Sequence, residues 1–133
     1  MDYLKHYKKN FDELLKLSDD EDFRKKNFEF FSKNGFPVKK KSDERWKYID
    51  LRSLEKTLYN FDFNNSDEGP NLNEIGLQNN NTIKVINGVA EIGKIDGINF
   101  LSSKSYESVI NSNEDEFISL NASMSYKPIF INI

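Results

Sequence analysis

Hydrophobic positions at the start of the chain recur at helical spacing. Leu4, Tyr7, Phe11, Leu14 and Leu15 follow one another every three or four residues, which puts them on one face of a helix predicted from about Asp2 to Leu17. Lys5, Lys9, Asp12, Glu13 and Lys16 fall on the opposite face, so this helix is expected to turn its apolar side inward. Ser18 and Glu21 then have the spacing of a capping box, in which each side chain satisfies an orphan backbone amide. The acids at 19–22 suit the positive end of a helix. The second helix predicted there carries a stripe of Phe23, Asn27, Phe30 and Phe31 with Phe28 beside it. Gly35 and then Pro37 mark its stop.

Beyond that stop the pattern weakens. Val38 to Ser42 is basic and reads as irregular, and a short helical turn is predicted near Asp50 with Leu51, Leu54 and Leu58 inward. Residues 64–81 are rich in Asn, contain Gly69-Pro70 and show no sustained periodicity, as expected of a linker or long loop. The period then changes. Ile83-Lys84-Val85-Ile86 and Val89-Ala90-Glu91-Ile92 flank Asn87-Gly88, a pair that tolerates the positive φ angles of a type I′ turn, so a β-hairpin is predicted. Ile95 to Leu101 reads as a further strand. Ser103 to Asn113 and Glu114 to Ser125 read as helical, the latter with Phe117, Leu120 and Met124 on one side. The sequence closes on Ile129-Phe130-Ile131-Asn132-Ile133, an apolar strand with no turn after it; such a strand would leave an unpaired edge, and the expectation is of a chain cut short there. The predicted class is α+β, with a helical N-terminal domain at 1–63, a linker or loop at 64–81 and a mixed α/β region at 82–133.

Composition narrows the chemistry. A chain of 133 residues with 37% hydrophobic content can bury one modest core or two small ones. No stretch approaches the roughly 20 apolar residues that span a bilayer, and residues 1–10 lack the apolar run of a secretory signal, so a cytoplasmic location with no membrane association is expected. There is no cysteine, which removes disulfides, thiolate metal sites and cysteine nucleophiles. The one histidine, His6, is expected on the exposed side of the first helix. Residues 1–61 carry 15 basic and 12 acidic side chains, net +3, whereas residues 62–133 carry 4 and 10, net −6. Neither half is basic enough to mark a nucleic-acid binder on charge alone.

Two acid clusters and one basic-aromatic run are the candidates for chemistry. Asp43 with Glu44 and the run Glu114-Asp115-Glu116 are adjacent in sequence, but neighbours on a helix or strand point in different directions and do not converge on one substrate. Acids at 114–116 suit a helix N-terminus instead. Lys39-Lys40-Lys41 followed by Arg45-Trp46-Lys47-Tyr48 has the composition of a single-strand nucleic-acid grip, with phosphate neutralisation and base stacking. The same run also fits a core anchor, in which Trp46 and Tyr48 pack inward from an extended segment while the lysines stay in water, and the net negative charge favours this reading. Gly88, Gly93 and Gly97 lack the helix start and lysine of a phosphate loop, and no serine has a histidine partner within a plausible triad. The residues therefore point to a binding or structural module, with no catalytic, cofactor-binding or metal residue assigned.

Several segments carry a family resemblance in their order. Asn34-Gly35-Phe36-Pro37 followed by Glu44-Arg45-Trp46-Lys47-Tyr48-Ile49-Asp50-Leu51 resembles the N-terminal signature of SufD-type scaffold proteins of iron–sulfur cluster assembly, roughly G-[LF]-P, a basic run, then E-x-W-K-Y-[ST]-x-L. Val85-Ile86-Asn87-Gly88, with Asp96-Gly97-Ile98 after it, is similar to that family's first strand and turn. Phe117-Ile118-Ser119-Leu120-Asn121-Ala122 is similar to its F-x-x-L-N-x-A segment, which precedes a strand like Ile129-Phe130-Ile131. The residues that carry the resemblance are Gly35, Pro37, Glu44, Trp46, Lys47, Tyr48, Asn87, Gly88, Leu120 and Asn121. The spacing from Pro37 to Trp46 is longer than the family pattern, Ile49 replaces a hydroxyl residue, and Lys127-Pro128 stands where the family has Asp/Asn-Gly.

The resemblance implies a small helical domain followed by the first strands and helices leading into a right-handed parallel β-helix, truncated at Ile133. It implies a non-catalytic scaffold whose full-length form pairs with SufB and recruits the ATPase SufC, in a complex that builds an iron–sulfur cluster. It places the cluster-building histidine and the SufC-binding helices beyond Ile133, so this portion would hold no cofactor. The helical domain would cap the first rung of the solenoid, whose open end needs covering. Two other readings stand beside it: an adaptor that binds a partner helix through Phe23, Phe30 and Phe31, or a weak single-strand nucleic-acid binder using Lys39, Lys40, Lys41 and Trp46.

Overall fold

A computed structural model describes residues 3–38, 44–61, 63, 83–86, 89–92, 98–100, 115–126 and 129–131. Helix α1 spans Tyr3–Leu15, α2 Glu21–Asn34 and α3 Arg52–Lys56. Strands β1 (Ile83–Ile86), β2 (Val89–Ile92) and β3 (Ile98–Phe100) follow, then helix α4 (Glu116–Met124) and strand β4 (Ile129–Ile131). The mixture of helices and strands expected from the periodicities is present. Among the described residues no helix is long and apolar enough to cross a membrane.

The inward face of α1 is the one that the spacing marks. Tyr7, Phe11 and Leu14 are buried, Leu4 and Leu15 are half-buried, and Lys5, Lys9, Asp12, Glu13 and Lys16 are exposed. Helix α2 departs from expectation in two respects. Its buried residues are Arg24, Asn27, Phe28 and Phe31, while Phe23 and Phe30 are only half-buried, so the inward face keeps Asn27 and Phe31 of the stripe but is rotated toward Arg24 and Phe28. The reason is that α2 has two neighbours: the Phe28 ring stacks on Phe11 of α1 at 4.2 Å, and Arg24 Nη1 donates to the Ser123 carbonyl of α4 at 2.9 Å. The capping box is also absent. Asp20 is the N-cap and makes no side-chain cap bond, Glu21 pairs with Lys25 at 3.1 Å, and the Ser18 hydroxyl is enclosed without a hydrogen bond.

The end of α2 follows the sequence signal. Gly35 closes the helix with φ 66°, in the left-handed region, and its N–H donates to the Phe31 carbonyl at 2.7 Å. Phe36 then turns back into the core, and its N–H is 3.3 Å from the Tyr3 hydroxyl. Tyr7, Phe11, Leu14, Phe28, Phe31, Phe36 and Met124 form this core, with Leu54, Phe61, Phe117 and Leu120 packed at its margin. Most of these side chains are aromatic, and the Phe31 and Phe36 rings meet edge to face at 5.2 Å.

Helix α4 joins the N-terminal helices even though the Asn-rich stretch 64–81 separates them in sequence, and its most extensive contact is with α2. Its buried residues are Glu116, Ser119, Ala122, Ser123 and Met124, and the small side chains in the middle of this set let the two helices approach closely. Asp115 caps it, accepting from the N–H groups of Phe117 at 2.8 Å and Ile118 at 3.2 Å. The acids at 115 and 116 thus belong to a helix N-terminus.

β1 and β2 pair antiparallel with Ile86 opposite Val89, the register of a hairpin with a two-residue connection at 87–88. β3 and β4 pair antiparallel with Ile98 opposite Ile131, so the final apolar strand has a partner. The Asn-rich stretch 64–81, the run Lys39 to Asp43, the turn residues Asn87 and Gly88, and the helix expected at Ser103 to Asn113 lie outside the described residues.

Candidate functional site

Three segments distant in sequence meet around one ring. Phe117, at the start of α4, lies 5.0 Å from the Trp46 ring and 5.5 Å from the Phe36 ring. Phe36 stands between Gly35 and Pro37, both buried, and Trp46 sits in a tight turn over residues 44–48. That turn is tied to α4 by Arg45, whose Nη1 donates to Asp115 Oδ2 at 3.0 Å. The aspartate is almost fully buried and the arginine is largely in water, so the carboxylate is the fixed partner.

Trp46 is half-buried, its ring tilted at 45° against Phe117, and its indole Nε1 is enclosed without a hydrogen bond. Tyr48 does not join it as an anchor. The expectation that both aromatics pack inward assumed an extended segment, in which residues two apart share a face. Residues 44–48 form a turn instead, and Tyr48 is 86% exposed, with the Lys47 ammonium 5.3 Å from its ring centre. Glu44 and Lys47 are exposed, Leu120 is half-buried at the core margin, and Asn121 faces solvent while its carbonyl accepts from the Ser125 N–H at 2.9 Å.

Beside Trp46 runs a shallow groove of about 330 Å³, lined by Pro37, Val38, Trp46, Tyr48, Ile49 and Leu51 among others. Ile49 is 55% exposed. At its far side Asp50 binds Arg52 twice through side-chain oxygens, at 2.8 and 2.7 Å, and once through the Arg52 N–H at 3.0 Å. These bonds hold the Asp50 carboxyl well below the usual carboxylate range, with the side-chain bond to Arg52 the main cause. The Tyr7 phenol, whose ring packs edge to face on Phe36, is pushed up mainly by burial and secondarily by Tyr59 and Tyr3.

Among the described residues no three His, Cys, Asp or Glu side chains converge as metal ligands. His6 is half-buried, in contrast to its expected exposure, because its Nε2 lies 2.6 Å from the Tyr59 carbonyl and pins the segment after α3 against α1. The helix-face adaptor reading loses one of its three residues, since Phe31 is wholly buried.

Of the residues that sequence reasoning singled out, Pro37 and Trp46 line one groove, Gly35 adjoins Phe36, and Leu120 packs at the core margin. That reasoning missed Arg45, Asp115 and Tyr3 as partners. Asp115 had a legible signal, an aspartate directly before an apolar helical run; nothing in the sequence marks Arg45 as its partner. Comparison of the chain with protein-family models, with curated proteins and with solved structures finds no match.

Proposed function

We propose that this chain is a non-catalytic scaffold module of the SufD type, a cytoplasmic element of iron–sulfur cluster assembly whose helical unit flanks the first rung of a β-helix. The supporting observation is the convergence on Phe117. The three sequence pieces that resemble the family, at 34–37, 44–51 and 117–122, pack on one another through Phe36, Trp46 and Phe117. Segments that form one packing unit are constrained together, which gives a physical reason for their appearing as an ordered set. In this reading the module contributes shape and stability, while SufB-type and SufC-type partners are engaged by the larger scaffold.

A chimera tests the proposal. This chain replaces the corresponding N-terminal part of a SufD-type scaffold, which is then co-expressed with its SufB and SufC partners. The expected result is a stable three-component complex that still builds a cluster. A folded chimera that fails to associate with either partner overturns the reading.

One observation favours a second reading, contact with single-stranded nucleic acid: Tyr48 is 86% exposed beside the Lys47 ammonium. An oligonucleotide anisotropy titration tests it. Saturable, salt-sensitive binding lost in both Tyr48→Ala and Lys47→Ala supports this reading; absence of binding at low salt removes it.

A further inference from the structure

Asn34 and Gly35 form an Asn-Gly pair at the point where α2 ends. Glycine is the residue after asparagine that least obstructs attack of a backbone nitrogen on the side-chain amide. Three features of the folded chain oppose that attack. The Gly35 N–H, which must lose its proton to become a nucleophile, is held by the Phe31 carbonyl at 2.7 Å. The Asn34 side-chain Nδ2 donates to the Phe30 carbonyl at 2.8 Å, which fixes the amide against its own helix. Asn34 itself is helical, a backbone geometry unsuited to closing a five-membered ring onto the next nitrogen. Yet Asn34 is exposed to water, and last turns of helices open most easily.

We propose that Asn34–Gly35 is a deamidation site held shut by the terminal turn of α2. When the turn opens, hydroxide removes the Gly35 amide proton and the nitrogen attacks Asn34 Cγ. The Cγ–Nδ2 bond breaks, the side-chain nitrogen leaves as ammonia, and a succinimide remains. Water then opens that ring at one carbonyl or the other, giving aspartate or isoaspartate at position 34. The balance is one water consumed and one ammonia released, with no redox change.

The location gives the reaction a structural consequence. Either product adds a negative charge at the C-terminal end of α2, where the helix dipole disfavours it. Isoaspartate also inserts an extra backbone carbon directly before Gly35 and Phe36. Gly35 is closely approached: a Cβ there would crowd the Tyr3 hydroxyl. Phe36, held against Tyr3, Phe31 and Phe117, would be levered out of the core. Transient opening of one turn is thereby converted into a permanent loss of packing.

The test incubates the intact protein at 37 °C and mildly alkaline pH, in buffer and in denaturing urea, with peptide mapping that separates products at Asn34 from those at Asn87. Isoaspartate at position 34 is expected in both samples, forming about tenfold or more faster in urea, because the native rate is scaled by the population of the opened turn. The deamidated native fraction, once isolated, is expected to melt at a lower temperature than fresh protein. Equal rates in buffer and urea would show that the turn does not hold the site shut. Absence of product at Asn34 in urea, or an aged fraction that melts like fresh protein, would likewise overturn the proposal.

Discussion

Arg45 and Asp115, 70 residues apart, are joined by a 3.0 Å hydrogen bond, and the same carboxylate caps α4. One side chain thus fixes both the start of a helix and the turn that carries Trp46. Asp115→Ala removes the cap and the ion pair together and is expected to cost about 1–2 kcal/mol, the range for losing an N-cap acid. Arg45→Ala should cost about 1 kcal/mol or less, because the guanidinium is largely in water. Urea denaturation of the two variants checks the ordering; a larger loss from Arg45→Ala would refute the account of Asp115 as the fixed partner.

Trp46 and Tyr48 separate in the same way. Trp46→Ala strips the ring packed on Phe117 and should destabilise by about 2–3 kcal/mol, less than the cost of truncating a fully buried aromatic. Tyr48→Ala, at an exposed surface position, should fall within about 0.5 kcal/mol of the parent. Denaturation midpoints with unchanged slopes provide the measurement, and equal losses would place Tyr48 in the packing after all.

Gly35 carries two independent constraints, its positive φ and the approach of Tyr3. Gly35→Ala should lower stability by about 1–3 kcal/mol. Combining it with Tyr3→Phe removes the crowding hydroxyl but not the backbone strain, so part of that loss should return. A double-mutant cycle by thermal melting measures the coupling, and strict additivity would show that the hydroxyl does not crowd the site.

Asp50 titrates below the ordinary carboxylate range because Arg52 binds its ionised form. A depressed folded-state pKa stabilises the fold above the unfolded value of about 3.9, and that contribution fades as pH falls through the folded value. The pair is fully exposed, so its effect on global stability should be small. NMR titration of the side chain should find Asp50 still ionised at about pH 3, a pH at which a free aspartate is mostly protonated. Midpoint titration near the ordinary value would dispose of the Arg52 clamp.

The sequence was most informative where one local rule decided the outcome. The stripe on α1, the glycine stop of α2 and the hairpin register at Ile86 and Val89 each follow from spacing or turn chemistry within a few residues. It was least informative where the partner was remote. Ser18 and Glu21 have capping-box spacing, yet Glu21 is engaged by Lys25 and the helix starts without a side-chain cap. The buried face of α2 includes Arg24 because a carbonyl of α4 accepts its hydrogen bond, which no periodicity in α2 announces. The turn at 44–48 defeated the inference that Trp46 and Tyr48 share a face, since that inference assumed a strand. At the candidate site the glycine, proline and tryptophan were legible as punctuation and bulk, whereas the Arg45–Asp115 tie exists only in three dimensions.

The bond from Arg24 to Ser123 spans 99 residues, and it sets an order of events during synthesis. Helices α1 and α2 leave the ribosome well before α4, so the polar inner face of α2 must wait for its cover. At about 5–20 residues per second, the interval between Asn34 and Met124 is on the order of 5–20 s. Through that interval Arg24 faces water, where it is readily solvated, beside the apolar surface around Phe36 that Phe117 and Met124 later cover. The Arg24–Ser123 contact thus makes part of the surface that awaits α4 tolerant of water until the late-made half of the core arrives.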